Sequence, residues 1–211
     1  MILRHFTKAH YLLSIIASQT IYREQERHLR VDQSMSRKHR RLESSMMKKI
    51  PAFTWLTAAD RANTSFACCD MSTGVKFREA FCIEVDSDDV NAVNWREYET
   101  LLRRKKHIGL WVTEMNEMAA GIGDNKRDYY VVKGDIDLSK INYRVKLMRY
   151  DDGVDFANYM RSNLHRFEDA AEIADSFDAM KELYEQSNST YQFENSVIRE
   201  VANDEFFAQV A

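Results

Sequence analysis

Three short groups of residues in this chain are of types that could bind a polar ligand or take part in catalysis. They are His5-Phe6-Thr7, Trp55-Leu56-Thr57, and Asp128 standing directly before Tyr129-Tyr130-Val131-Val132. His and Thr are compact hydrogen-bonding groups, and an aromatic ring offers a flat stacking face. A carboxylate can stabilise developing positive charge, and it can act on an incoming nucleophile. Each group also has a plain structural reading: His5 as a satisfied structural histidine, Thr7 as a helix cap, Trp55 as core, Asp128 as a turn residue. Their order along the chain and their placement on strands connect them. Glu114 and Glu117 lie upstream of Asp128 at a spacing that suits exposed helix positions.

The elements that must position these groups are legible in outline. Ile2 to Phe6 reads as a short strand, and Thr7 as the N-cap of a helix whose apolar residues recur at Ala9, Leu12, Ile15 and Ile16. Ala52 to Thr57, rich in aromatic and β-branched residues, predicts a second strand. Phe81 to Val85, His107 to Val112, Tyr129 to Val132 and Tyr143 to Leu147 predict further strands. The Asp86-Ser87-Asp88-Asp89 cluster predicts the cap of a helix reaching Leu101 and Leu102, and Thr113 to Ala120 has helix-forming composition. Tyr129 and Tyr130 must project to opposite faces of their strand. Beyond residue 153 the pattern is helical, with Ala170, Ile173, Ala174, Phe177, Met180 and Tyr184 in one apolar stripe and a last helix around Val197, Ile198 and Val201.

The three groups together, in this order, resemble the histidine-containing class of ADP-ribosyltransferases. In that class a first-strand His-Tyr/Phe-Thr, a second-strand aromatic-x-Ser/Thr and a later-strand Glu line one NAD cleft. The resemblance covers residues 2–147 and includes the phrase Asp128 to Ile136. It implies an ADP-ribosyltransferase-like α+β fold with a mixed-sheet core over residues 1–150, to which the helical pattern beyond residue 153 adds an acidic helical C-terminal extension over 151–211. It further implies that NAD is bound by His5, Thr7, Trp55, Thr57 and Tyr130, and that Asp128 and His5 carry the chemistry. The acceptor of the ADP-ribose would be a protein or a nucleic acid. Asp128 stands where the family has Glu, one methylene longer, and a misplacement of about 1 Å costs about 100-fold in rate. The loop containing Gly121 and Gly123 would occupy the place of the family's recognition loop, where Gly lets the backbone approach a ligand.

Composition sets the outer bounds. The chain has 211 residues, six Gly and one Pro, which excludes collagen-like and linker-rich classes. The length suffices for a full hydrophobic core, and no apolar run approaches the length of a membrane span. The start has no secretory signal pattern, and Cys68, Cys69 and Cys82 follow no metal spacing, so reduced thiols in the cytoplasm are expected. Charge is unevenly laid out: residues 21–50 carry a net +5 and residues 151–211 a net −10. The basic stretch over 22–50 would favour an anionic acceptor, although pI ≈ 6.1 argues against a dedicated nucleic-acid module. The acidic end supplies the competing expectation: a weakly active or inactive binding protein that blocks a host protein through its C-terminal helices, as a phage product directed at a host defence would. No Gly-x-Ser-x-Gly, Cys-x-x-Cys, His-Glu-x-x-His or phosphate-binding Gly-Lys loop is present.

Overall fold

The computed structural model describes residues 1–23, 52–59, 69–70, 73–104, 109–121 and 123–188. In chain order its strands are β1 (Ile2–Thr7), β2 (Thr20–Ile21), β3 (Thr54–Ala58), β4 (Cys69–Asp70), β5 (Val75–Lys76), β6 (Glu79–Asp86), β7 (Val93–Asn94), β8 (Tyr129–Val132), β9 (Ile136–Asp137) and β10 (Tyr143–Arg149). Its helices are α1 (Ala9–Ser18), α2 (Trp95–Arg103), α3 (Gly109–Gly121), α4 (Phe156–Ser162) and α5 (Ala170–Asn188). Six strands form one sheet in the order β10-β6-β1-β3-β8-β7, with every neighbouring pair antiparallel. Two small ribbons, β2 with β9 and β4 with β5, complete a mixed α+β fold.

Alternation along the strands separates two cores. Leu3, Leu56, Phe81, Ile83 and Val145 point to one face, where they pack with Leu12 and Ile16 of α1 and with Ile173 and Phe177 of α5. This is the apolar stripe read from the sequence, and Phe81 and Phe177 meet edge-on with centroids 5.2 Å apart. The opposite face, over β3 and β8, carries Phe53, Tyr129 and Val131 against Trp95 and Leu102 of α2 and Val112, Met115 and Ala119 of α3. Cys69 and Cys82 are buried thiols. Cys68, the basic residues from 24 to 50 and the segment around Val197 lie outside the described residues.

Three local expectations are corrected. Thr7 ends β1 and does not cap α1; Lys8 takes that position without a side-chain bond. The Asp86 to Asp89 cluster forms a turn, and the helix cap is Asn94, whose side chain accepts from the Arg96 N–H at 3.0 Å. Of the strand expected from His107 to Val112, Gly109 onward belongs to α3 instead, while His107 and Ile108 lie outside the described residues. Val112, Met115 and Ala119 sit three and four residues apart, and a helix puts all three into the second core.

Two features tie the sheet together. Glu84 of β6 is buried, and its carboxylate receives Arg4 Nε of β1 at 3.0 Å, Arg144 Nε of β10, and the Lys146 ammonium at 3.7 Å. Burial alone would raise its pKa, but hydrogen bonds from Arg4 and Arg144 and the charge of Lys146 hold it below the usual carboxylate range. At the approach to β6, Gly153 adopts φ +134°, and a Cβ there would stand 2.9 Å from the backbone of Phe77 and Arg78. Only Gly fits that crossing.

Candidate functional site

The strands carrying the three sequence motifs are neighbours. β1 pairs with β3 at Leu3 with Ala58 and Arg4 with Thr57, and β3 pairs with β8 at Trp55 with Val131 and Thr57 with Tyr129. His5 lies near the middle of β1, half-buried, with Nδ1 donating to the Trp55 carbonyl at 3.0 Å. A carbonyl only accepts, so Nδ1 carries the hydrogen and the neutral ring presents Nε2 as an acceptor. Burial holds the imidazole below its ordinary pKa, outweighing the bond to the Trp55 carbonyl, which acts the other way.

The sheet divides the remaining predicted residues. His5 and Thr7 alternate with Arg4 and Phe6, so they share the face of Leu3; Tyr130 packs on that same core, its hydroxyl 3.8 Å from the Met1 sulfur. Trp55 and Thr57 have the opposite parity. Trp55 belongs to the second core, with ring centroids 4.9 Å from Trp95 and 6.3 Å from Tyr129, and Thr57 pairs with Tyr129 on that side. The five expected binding residues therefore do not line a single cleft: three face one way and two the other. Asp128 closes the short 3-10 turn Lys126–Asp128 immediately before β8, with its N–H bonded to the Asn125 carbonyl at 2.9 Å. Asn94 also holds this turn, its amide donating to the Arg127 carbonyl at 2.7 Å. Glu117 is exposed, as its helical spacing predicts.

Comparison of the chain with family models, with curated proteins and with solved structures finds no match. The chemistry must be read from its own residues. Among the described residues no helix is long and apolar enough to cross a membrane, and no group of three or more His, Cys, Asp or Glu is placed to hold a metal ion.

One group of chemical interest was not singled out by the sequence. Asp124 follows Gly123, which ends α3 in a left-handed conformation at φ +83°, and the turn directs its carboxyl inward. The Tyr129 hydroxyl donates to Oδ2, while Oδ1 is buried without a hydrogen-bond partner among the described residues. Burial raises the Asp124 pKa from 3.8 to about 6; the Tyr129 bond and the Lys76 charge oppose the shift and the charge of Asp128 adds to it. Nearby, the Trp55 indole N–H is likewise buried without a described partner. The sequence gives little sign of this arrangement, because an Asp beside a Gly in a loop ordinarily faces water.

Proposed function

We propose that the chain is an NAD-dependent ADP-ribosyltransferase-like protein with a protein or nucleic-acid acceptor. The observation that supports this most directly is the adjacency of β1, β3 and β8, which carry the three groups that the resemblance requires. His5, Thr7 and Tyr130 share a face, and they form the NAD-binding set in this reading; Trp55 and Thr57 support it from behind through packing on β8. The acceptor nitrogen of a neutral His5 suits a ribose hydroxyl, and the Thr7 hydroxyl can both give and take a hydrogen bond. NAD, when bound, supplies the nicotinamide glycosidic bond whose cleavage builds positive charge on the ribose. Asp128, at the start of β8, is the carboxylate assigned to oppose that charge.

Incubating the full chain with NAD labelled in the adenylate half, and measuring nicotinamide release and acceptor labelling, tests the assignment. Wild type should release nicotinamide, and Asp128→Ala and His5→Ala should each lose at least about 100-fold, the scale of a displaced or missing electrostatic group. No release by wild type, or unchanged release by both variants, overturns it.

A second reading, a partner-blocking role for the C-terminal helices, is favoured by the outer face of α5. There Glu172, Asp175, Asp178, Glu182 and Glu185 form an exposed acidic stripe. Part of that charge is already matched, since Arg161 pairs with Asp175 and Asp178, and Arg149 with Glu185. Retention of a specific protein by wild type, unchanged in Asp128→Ala and lost when the stripe is neutralised, would select this role.

A further inference from the structure

A cavity of about 530 Å³ opens at the far end of β8 from Asp128, between the turn that precedes β7 and the segment running from β8 into β9. Its volume lies in the range of small-molecule sites. Val90, Val131 and Ile136 give it a buried apolar floor, and Tyr98 of α2 forms part of the wall. The charged groups around it are unequally committed. Asp137 accepts from the Ser139 N–H and hydroxyl and pairs with Lys140 at 2.7 Å, and Asp135 pairs with Arg23.

Lys133 and Asp89 differ from these. Neither makes an ion pair among the described residues, and both are exposed at the cavity wall. The Lys133 ammonium stands 4.8 Å from the centre of the Tyr98 ring, a cation–π position at the cavity wall. The cavity thus offers a cation for an anionic group, a carboxylate for a hydroxyl or amine donor, and an apolar floor with an aromatic wall for a flat body.

We infer that this cavity is a binding site for a nucleoside monophosphate. Its phosphate would lie at Lys133, a ribose hydroxyl or exocyclic amine would donate to Asp89, and the base would cover Val90 and Ile136 beside Tyr98. None of the residues assigned above to NAD lines this cavity, so it is a second site, independent of the transferase reading.

Guanosine monophosphate is a suitable probe because it is not a fragment of NAD. Titrated into the full chain and followed by backbone amide shifts, it should cause saturable changes at Asn91, Lys133 and Gly134 with a Kd between about 1 μM and 1 mM, and these should persist with NAD present. Lys133→Gln should weaken the nucleotide about tenfold or more while leaving guanosine unchanged, the scale of one charge-assisted hydrogen bond. Asp89→Ala should weaken nucleotide and nucleoside alike. Both positions are exposed, so neither change threatens folding. Absence of saturable shifts at about 10 mM nucleotide, a Lys133→Gln affinity equal to wild type, inorganic phosphate binding as tightly as the nucleotide, or displacement by NAD would each overturn the assignment.

Discussion

Replacing Asp124 by Asn should make the protein more stable at neutral pH. The Asp124 carboxyl titrates at about 6 in the fold against an ordinary 3.8, a difference of about two pKa units and hence about 3 kcal/mol. A raised carboxylate pKa works against the fold as pH rises. Below 3.8 both states hold the proton; between 3.8 and about 6 the unfolded chain releases it more readily, and stability falls until the folded carboxyl has also ionised. Asn keeps an acceptor for the Tyr129 hydroxyl but never ionises. Urea unfolding at pH 7 should therefore show Asp124→Asn more stable by up to about 3 kcal/mol, or about 6–12 °C in Tm for a chain of this size. At pH 4 the two curves should nearly coincide. His5 works in the other sense: its depressed pKa gives a contribution that is present above 6.5 and lost as pH falls. Because His5 is common to both proteins, its effect cancels in the difference between them. A variant no more stable than wild type at pH 7, or a gap that does not narrow between pH 7 and pH 4, would refute the account of Asp124.

Two other changes probe the frame. Glu84→Gln removes the charge shared by Arg4, Arg144 and Lys146 and should cost about 2 kcal/mol in urea unfolding at pH 7, less than a fully enclosed pair because Arg144 and Lys146 can regain water. Since the Glu84 pKa is depressed, that cost should vanish as pH falls through and below the ordinary range near 4.5. Gly153→Ala places a methyl group against the Phe77–Arg78 backbone at a positive φ and should lower stability by about 1–3 kcal/mol in urea unfolding, with the denaturant slope unchanged.

Most of the long elements were legible in the sequence because periodicity and packing agree in them. β1, β3, β6, β8, β10, α1 and the stripe of α5 appear where alternation or helical spacing places them. Two-residue strands such as β2, β7 and β9 leave no periodic trace, since pairing alone defines them. From Gly109 to Val112 the alternation was outweighed by the longer helical register of α3. The candidate site was legible in its residue types and its strands, while its parity was less clear. Trp55 and Thr57 point away from His5 because β3 presents its odd positions to the second core, which the pattern Trp55-Leu56-Thr57 does not reveal. Asp124 is hidden for a different reason: its burial arises from the left-handed turn at Gly123 and from a tyrosine on the next strand.

The position of β1 has a consequence for synthesis of the chain. Of the described strands β1 comes first along the given sequence, yet it sits in the middle of the sheet, and its partner on one side, β6, follows at a separation of 80 residues, as from Arg4 to Glu84. At about 5–20 residues per second, β1 waits roughly four to sixteen seconds after its own synthesis before β6 exists to receive it. Leu3, Leu12 and Ile16 meanwhile lack the surfaces that will cover them. Leu12 and Ile16 gain their full cover only when α5 has followed β6, so chaperone dependence should persist until α5 emerges.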